Sequence, residues 1–164
     1  MTAFSHCPAC GRRYADPDAR PLVCPCGRET HRNPAPVVVL LVPVGDRGLL
    51  LVRRAQPPVG LALPSGFIES GEDWRAAAVR ELAEETGVRA EPAGVRPFDV
   101  HSGRDDTLLV FAAVPAVAPS ALRDFAPSDE VTELIVRRDR FDDLVFPLDT
   151  RAAAAWSRGR RALA

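Results

Sequence analysis

Lysine is absent from this chain: all 21 basic residues are arginine. Any side-chain cation set against a phosphate is therefore a guanidinium, apart from a protonated histidine. Alanine and proline are abundant, so a GC-rich coding bias explains the arginine better than 21 separate guanidinium requirements do. An excess of either charge sign is missing too. A formal net charge of −1 gives no overall pull towards nucleic acid or anionic membranes. The longest apolar run, Val37 to Val44, is far too short to span a bilayer, and nothing reads as a signal peptide. Aromatics are few, which argues against a nucleic-acid track. There is no internal repeat. The composition fits a soluble, cytoplasmic protein with one good core and a small appendage.

The appendage is marked by cysteine. All four cysteines fall in two Pro- and Gly-bearing knuckles, Cys7-Pro8-Ala9-Cys10-Gly11 and Cys24-Pro25-Cys26-Gly27. Four thiolates in two clusters, separated by a short hairpin, suit a tetrahedral Zn²⁺. Residues 1–35 cannot bury enough apolar surface to fold alone, whereas a structural zinc supplies roughly 10–16 kcal/mol. The second knuckle has one intervening residue where two are usual, so His6 or His31 stays open as a replacement ligand. Free thiols are the alternative, and a disulfide fits a cytosolic enzyme least.

The densest pattern lies between Gly66 and Val88. Glu72 follows Gly66, and Arg80-Glu81-Leu82-Ala83-Glu84-Glu85-Thr86-Gly87-Val88 closes the segment. Asp73 caps a helix, Trp74 to Glu85 is rich in good formers, and Gly87 ends it. Glu81, Glu84 and Glu85 then stand at i, i+3 and i+4 on one face. Two such charges about 4 Å apart repel by roughly 4 kcal/mol at an effective dielectric near 20. A hard divalent ion such as Mg²⁺ relieves this, and such ions keep substrate phosphates in their shell. The alternative is a solvated surface helix, which leaves the glycine-flanked loop Leu63 to Glu72 unexplained. The acidic face is expected to be exposed, so that Glu85→Gln removes a ligand and not a core contact.

The segment resembles the Nudix box, G-x5-E-x7-R-E-U-x-E-E-x-G-U with U bulky and aliphatic, at every defined position. Ser65 stands where a second glycine is common. The resemblance implies an α/β fold, a Nudix α/β/α sandwich around a mixed β-sheet over residues 36–164, preceded by a small zinc ribbon over 1–35. It implies a hydrolase that uses Mg²⁺ (or Mn²⁺) on a small-molecule nucleotide substrate, a nucleoside diphosphate linked to a second moiety. Glu81 and Glu85 become the main metal ligands, Glu84 a third, and the Gly66 carbonyl completes the site. Arg80 pairs with Glu72 and holds the loop to the helix. Glu84, Glu130 and Glu133 are the candidate general bases, with solvated loop carboxylates the rival reading for the last two. The N-terminal segment resembles the zinc ribbon of some Nudix hydrolases, including NADH-diphosphatase relatives. Cys7, Cys10, Cys24 and Cys26 are then its ligands.

Substrate choice is thinly encoded. NADH-type members carry an SQPWPFP motif after the box, and Arg96-Pro97-Phe98-Asp99 does not match it. ADP-ribose or a related nucleotide sugar is the leading reading; NAD(H) and (oxidised) nucleoside triphosphates follow. Arg53 and Arg54 are candidates for substrate phosphate, with surface pairing the alternative. Phe67 is a candidate for base stacking, as is Phe98, although a core role is the commoner fate of each. His101 is a candidate contact or a half-buried strand residue. A nucleotide-sensing module that does not hydrolyse is the non-enzyme alternative, and a homodimer stays open. The other expected elements are a strand over Val37 to Val44 with Leu49 to Val52 as its hairpin partner, and strands over Val95–His101, Thr107–Val114 and Glu133–Arg137. A last helix, capped by Asp149 or Thr150, ends in Arg158, Arg160 and Arg161.

Overall fold

A computed structural model describes residues 5–162, with side chains described up to Gly159; the expected cluster of Arg160 and Arg161 lies outside the described side chains. The chain divides into two compact units, one up to Pro34 and one from Ala35 onward.

In the first unit, β1 (Leu22–Val23) and β2 (Glu29–Thr30) form an antiparallel hairpin. Cys7, Tyr14, Leu22 and Cys24 are its buried residues, and the Tyr14 hydroxyl donates to Thr30 Oγ1 at 2.9 Å. The two knuckles close alike despite their different spacing. Gly11 N donates to the Cys7 carbonyl and Gly27 N to the Cys24 carbonyl, each at 2.9 Å. Cys7 N and Cys24 N then donate to the carbonyls of Arg12 and Arg28. The missing residue between Cys24 and Cys26 is taken up inside the turn, which simply closes one position earlier.

The second unit contains β3 (Ala35–Leu41), β4 (Pro43–Val44), β5 (Gly48–Arg54), β6 (Gly60–Ala62), β7 (Ser65–Phe67), α1 (Trp74–Thr86), β8 (Arg96–Ser102), β9 (Thr107–Ala113), β10 (Val131–Arg137) and α2 (Pro147–Ala162). One sheet has the order β7-β3-β9-β8, mixed because β3 runs parallel to β9. A second sheet has β10 on one edge of β5 and β4 and β6 on the other.

Alternation along β3 explains the layering. Val38 and Leu40 join Ala77, Ala78 and Leu82 of α1 in one core; Val39 and Leu41 join Ala152 and Ala153 of α2 in another. The two helices therefore cover opposite faces of the mixed sheet, as the α/β/α expectation requires. Asp73 caps α1 by accepting from Arg75 N, and Gly87 (φ 73°) ends it.

Three expectations need correction. The apolar run Val37 to Val44 is not one strand: it breaks at Val42, where the chain leaves the mixed sheet, and only Pro43–Val44 pairs with β5. Continuous hydrophobicity hid this, because both pieces are buried. Part of the presumed loop is strand, since Ser65–Phe67 pairs with β3. Asp149 does not cap α2. Pro147 begins that helix, as its fixed φ favours, and Asp149 is buried in the first turn.

Candidate functional site

Arg80 gathers the acidic groups of α1. Its Nε and Nη2 each donate to Glu72 at 2.9 Å, and Nη1 donates to Glu81 at 2.6 Å and Glu84 at 3.0 Å. Nη2 also reaches the Phe67 carbonyl at 2.9 Å, so this one guanidinium ties the loop and β7 to the helix. The Arg80 hydrogen bonds hold the Glu72 carboxyl down to about 2, and Arg80 itself is raised by the same partners.

Glu81 and Glu85 are pushed the other way. Burial raises both, Glu85 to about 8, with the Glu81 charge adding to it. Glu85 is 8% exposed, which corrects the expectation of an exposed cluster. Its Oε2 accepts from the Ser65 amide at 2.9 Å. Glu84 is the open member, with its side chain 57% exposed. Glu72, Glu81 and Glu84 share the single Arg80 guanidinium and Glu85 has only the Ser65 amide, so carboxylates outnumber the cations beside them and the set fits a divalent ion.

Gly66 shows a second sign of fit. A Cβ there would overlap the Glu81 carboxylate, so the backbone can approach only as glycine. Gly66→Ala is expected to cost roughly 10²-fold in metal-dependent turnover while the melting temperature changes little. Turnover near the parent value, measured at saturating Mg²⁺, would remove Gly66 from the site.

Among the later candidates, Glu130 acts electrostatically on both Glu81 and Glu85, whereas Glu133 is bound by Arg53 at 2.7 Å. Arg54 lies over the Phe146 ring at 5.3 Å and its charge reaches both Glu85 and Asp149. The core expectation for Phe67 and Phe98 fails: they are 59% and 38% exposed, on the edge strands β7 and β8. His101 pairs with Asp99 at 2.9 Å and meets the Phe111 ring edge-on.

Asp149 is the residue that sequence reading missed. It is 3% exposed, accepts from the Leu63 amide at 3.0 Å, and is pushed up to about 7 by burial. With an unfolded value of 3.8, its native form binds the extra proton across the interval. The associated stability is complete below that value and is lost as pH rises through about 7, roughly 4 kcal/mol in all. Asp149→Asn should therefore gain on the parent in melting temperature from pH 5 to 8. A pH-independent difference would show that the carboxyl is not held protonated.

In the first unit, Cys7, Cys10, Cys24 and Cys26 have sulfur atoms all within 4.8 Å of one another. Cys7 and Cys26 are 3.8 Å apart and Cys10 and Cys24 3.6 Å. Tetrahedral zinc with bonds near 2.3 Å requires about 3.8 Å between sulfurs. Burial opposes ionisation of Cys7, but the backbone amides of Ala9 and Cys10 and the thiols of Cys24 and Cys26 bring it down to about 6. The Cys26 amide favours the Cys24 thiolate, yet burial and the neighbouring thiols push it up to about 12. His31 is taken by Glu29 at 3.0 Å.

Residues 32–157 match the NUDIX domain. This chain belongs to the NUDIX family. The match covers the mixed sheet, the box helix and most of α2. ADP-sugar pyrophosphatase of Mus musculus is 42% identical over 76 residues, 42% of this chain and 35% of that protein. The NAD-capped RNA hydrolase NudC of Pseudomonas aeruginosa strain LESB58 is 36% identical over 84 residues, 50% of this chain and 30% of that one. This NUDIX chain thus spans about a third of the length of these curated relatives. The crystal structure of a NUDIX hydrolase from Nitrosomonas europaea superposes with a TM-score of 0.67 at 23% identity, covering 96% of this chain and 93% of that one. That likeness is one of fold.

Proposed function

We propose that this NUDIX protein hydrolyses a phosphoanhydride bond in a nucleoside diphosphate linked to a second moiety, with ADP-ribose and related nucleotide sugars as its substrate class and Mg²⁺ or Mn²⁺ as cofactor. The carrying observation is the set Glu81, Glu84 and Glu85 beside a Gly66 backbone that leaves no room for a Cβ, with Arg80 among them. Glu81, Glu85 and the Gly66 carbonyl would hold the ion, with Glu84 as a third ligand. A bound divalent ion supplies Lewis-acid polarisation of the phosphate chain. Arg80 and Glu72 keep the loop on the helix, an orienting role of the kind metal ligands depend on. Glu84, being open to solvent, is placed to take the proton of the attacking water, and Glu130 is the second candidate. Glu133 is the weakest, since Arg53 engages it, and that pairing also weakens Arg53 as a phosphate ligand. Phe67, exposed on the edge strand β7, is the candidate to stack on a base.

The mouse relative's name, ADP-sugar pyrophosphatase, supports the sugar-nucleotide reading. The Pseudomonas relative's name, NAD-capped RNA hydrolase, supports NAD(H) as the alternative, against which stands the missing SQPWPFP motif. In this reading the unit ending at Pro34 is a zinc ribbon and the unit from Ala35 the hydrolase. The same reading puts the protein in the cytoplasm, a compartment that keeps four free cysteines reduced; no described helix is long and apolar enough to cross a membrane.

Phosphate-product analysis with Mg²⁺ across ADP-ribose, NADH, NAD⁺, diadenosine polyphosphates and 8-oxo-dGTP tests the proposal. ADP-ribose is expected to exceed the others by about tenfold or more in kcat/KM. A preference for NADH or a triphosphate would move the substrate. Silence from folded, metal-loaded protein would favour the sensing module.

A further inference from the structure

The chain passes from the second sheet to the mixed sheet at Leu63-Pro64, between β6 and β7. Three bonds from three elements hold this crossover. The Leu63 amide donates to Asp149 Oδ2 at 3.0 Å, the Pro64 carbonyl accepts from the Leu40 amide at 2.8 Å, and the Ser65 amide donates to Glu85 Oε2 at 2.9 Å. Proline has no amide hydrogen, so both donors of the tripeptide end on buried carboxylates. One comes from α2 and the other from α1, on opposite faces of the mixed sheet. Gly66 follows immediately, with its backbone pressed on the Glu81 carboxylate.

A purely structural account of Asp149 is incomplete. Burying a carboxylate is costly unless hydrogen bonds compensate, and α2 already starts at Pro147. What Asp149 gains for the fold is a fixed Leu63 amide, and the steps from Leu63 to Gly66 are short. Ser65 takes Oε2 of Glu85, which leaves Oε1 to face a cation. A shift of Ser65 therefore turns Glu85 and moves the Gly66 carbonyl together.

We propose that Asp149 is a positioning residue of the metal site: it anchors the Leu63 amide and, through Pro64, sets Ser65 and Gly66 against Glu85 and Glu81. This rests on the metal-site reading above. The test is Mn²⁺ binding to the full-length, zinc-loaded protein, read from the electron paramagnetic resonance signal of free Mn²⁺, together with amide hydrogen exchange at Ser65. Asp149→Leu removes the acceptor at similar size, and Asp149→Ala serves if that variant does not fold. Asp149→Asn keeps an acceptor oxygen. The acceptor-less variant is expected to bind Mn²⁺ about tenfold more weakly or worse and to exchange Ser65 faster, with unchanged far-UV circular dichroism. Asp149→Asn should stay within about twofold of the parent, as a hydrogen-bond role requires. A folded acceptor-less variant with parental Mn²⁺ affinity would overturn the proposal, as would equal damage by Asp149→Asn. Glu85→Gln in the same assay separates the two readings. If it too leaves Mn²⁺ binding unchanged, the metal site itself is misplaced and the positioning role falls with it. If Glu85→Gln weakens binding and Asp149→Leu does not, only the positioning role falls.

Discussion

Glu85→Gln is expected to lower kcat by roughly 10³-fold, while the melting temperature of the metal-free protein stays level or rises. The amide keeps an oxygen for the Ser65 N–H and removes a carboxyl whose ionisation burial opposes. Because that carboxyl is pushed up to about 8, it carries its proton at neutral pH until a cation displaces it. Metal affinity of the parent should therefore climb as pH rises towards 8, and the climb should flatten in Glu85→Gln. The native value lies above the unfolded value of 4.5, so ionisation at this site weakens the metal-free fold as pH rises, and the variant escapes that loss. Isothermal titration with Mg²⁺ across pH 6 to 9, beside differential scanning calorimetry, reads both effects. Parental turnover by the variant would show that the reaction does not use this carboxylate.

Zinc removal is expected to unfold the unit ending at Pro34 and to leave Mg²⁺-dependent turnover largely in place. The small unit buries Cys7, Tyr14, Leu22 and Cys24, so half of that core consists of metal-ligand candidates. Four bonds to zinc, worth roughly 10–16 kcal/mol, outweigh anything so small a core supplies. One zinc per chain is expected in protein purified without chelator. After chelation, amide protection should vanish at Cys7, Gly11, Cys24 and Gly27, whose amides make the knuckle bonds. Zinc-free protein that keeps this protection would mean that thiol packing alone suffices.

The box was legible because its chemistry is local. Glu81, Glu84 and Glu85 sit within a helical turn, and their capping residues Asp73 and Gly87 flank them, so spacing alone places them on one face. The knuckles were legible for the same reason. Asp149 was not, since its partner Leu63 is distant in sequence and the residue also reads well as a helix cap. Periodicity misled at Val42, where burial on both sides of a strand break erases any polar signal. Phe67 and Phe98 misled in the opposite sense, because both lie on edge strands with no fully buried position, and β8 is exposed everywhere but at His101.

The parallel pairing of β3 with β9 has a consequence for synthesis. Ala35 lies opposite Thr107, so the strand at the centre of the mixed sheet waits for its parallel partner until β4 to β8 and α1 have left the ribosome. Through that interval Val38 to Val42 is an apolar stretch with one flank open, the kind of nascent edge that pairs with the wrong neighbour. β4, β5 and α1 rest on near neighbours and can form first. A chain halted before Thr107 would carry a complete α1 and still present its apolar central strand to chaperones.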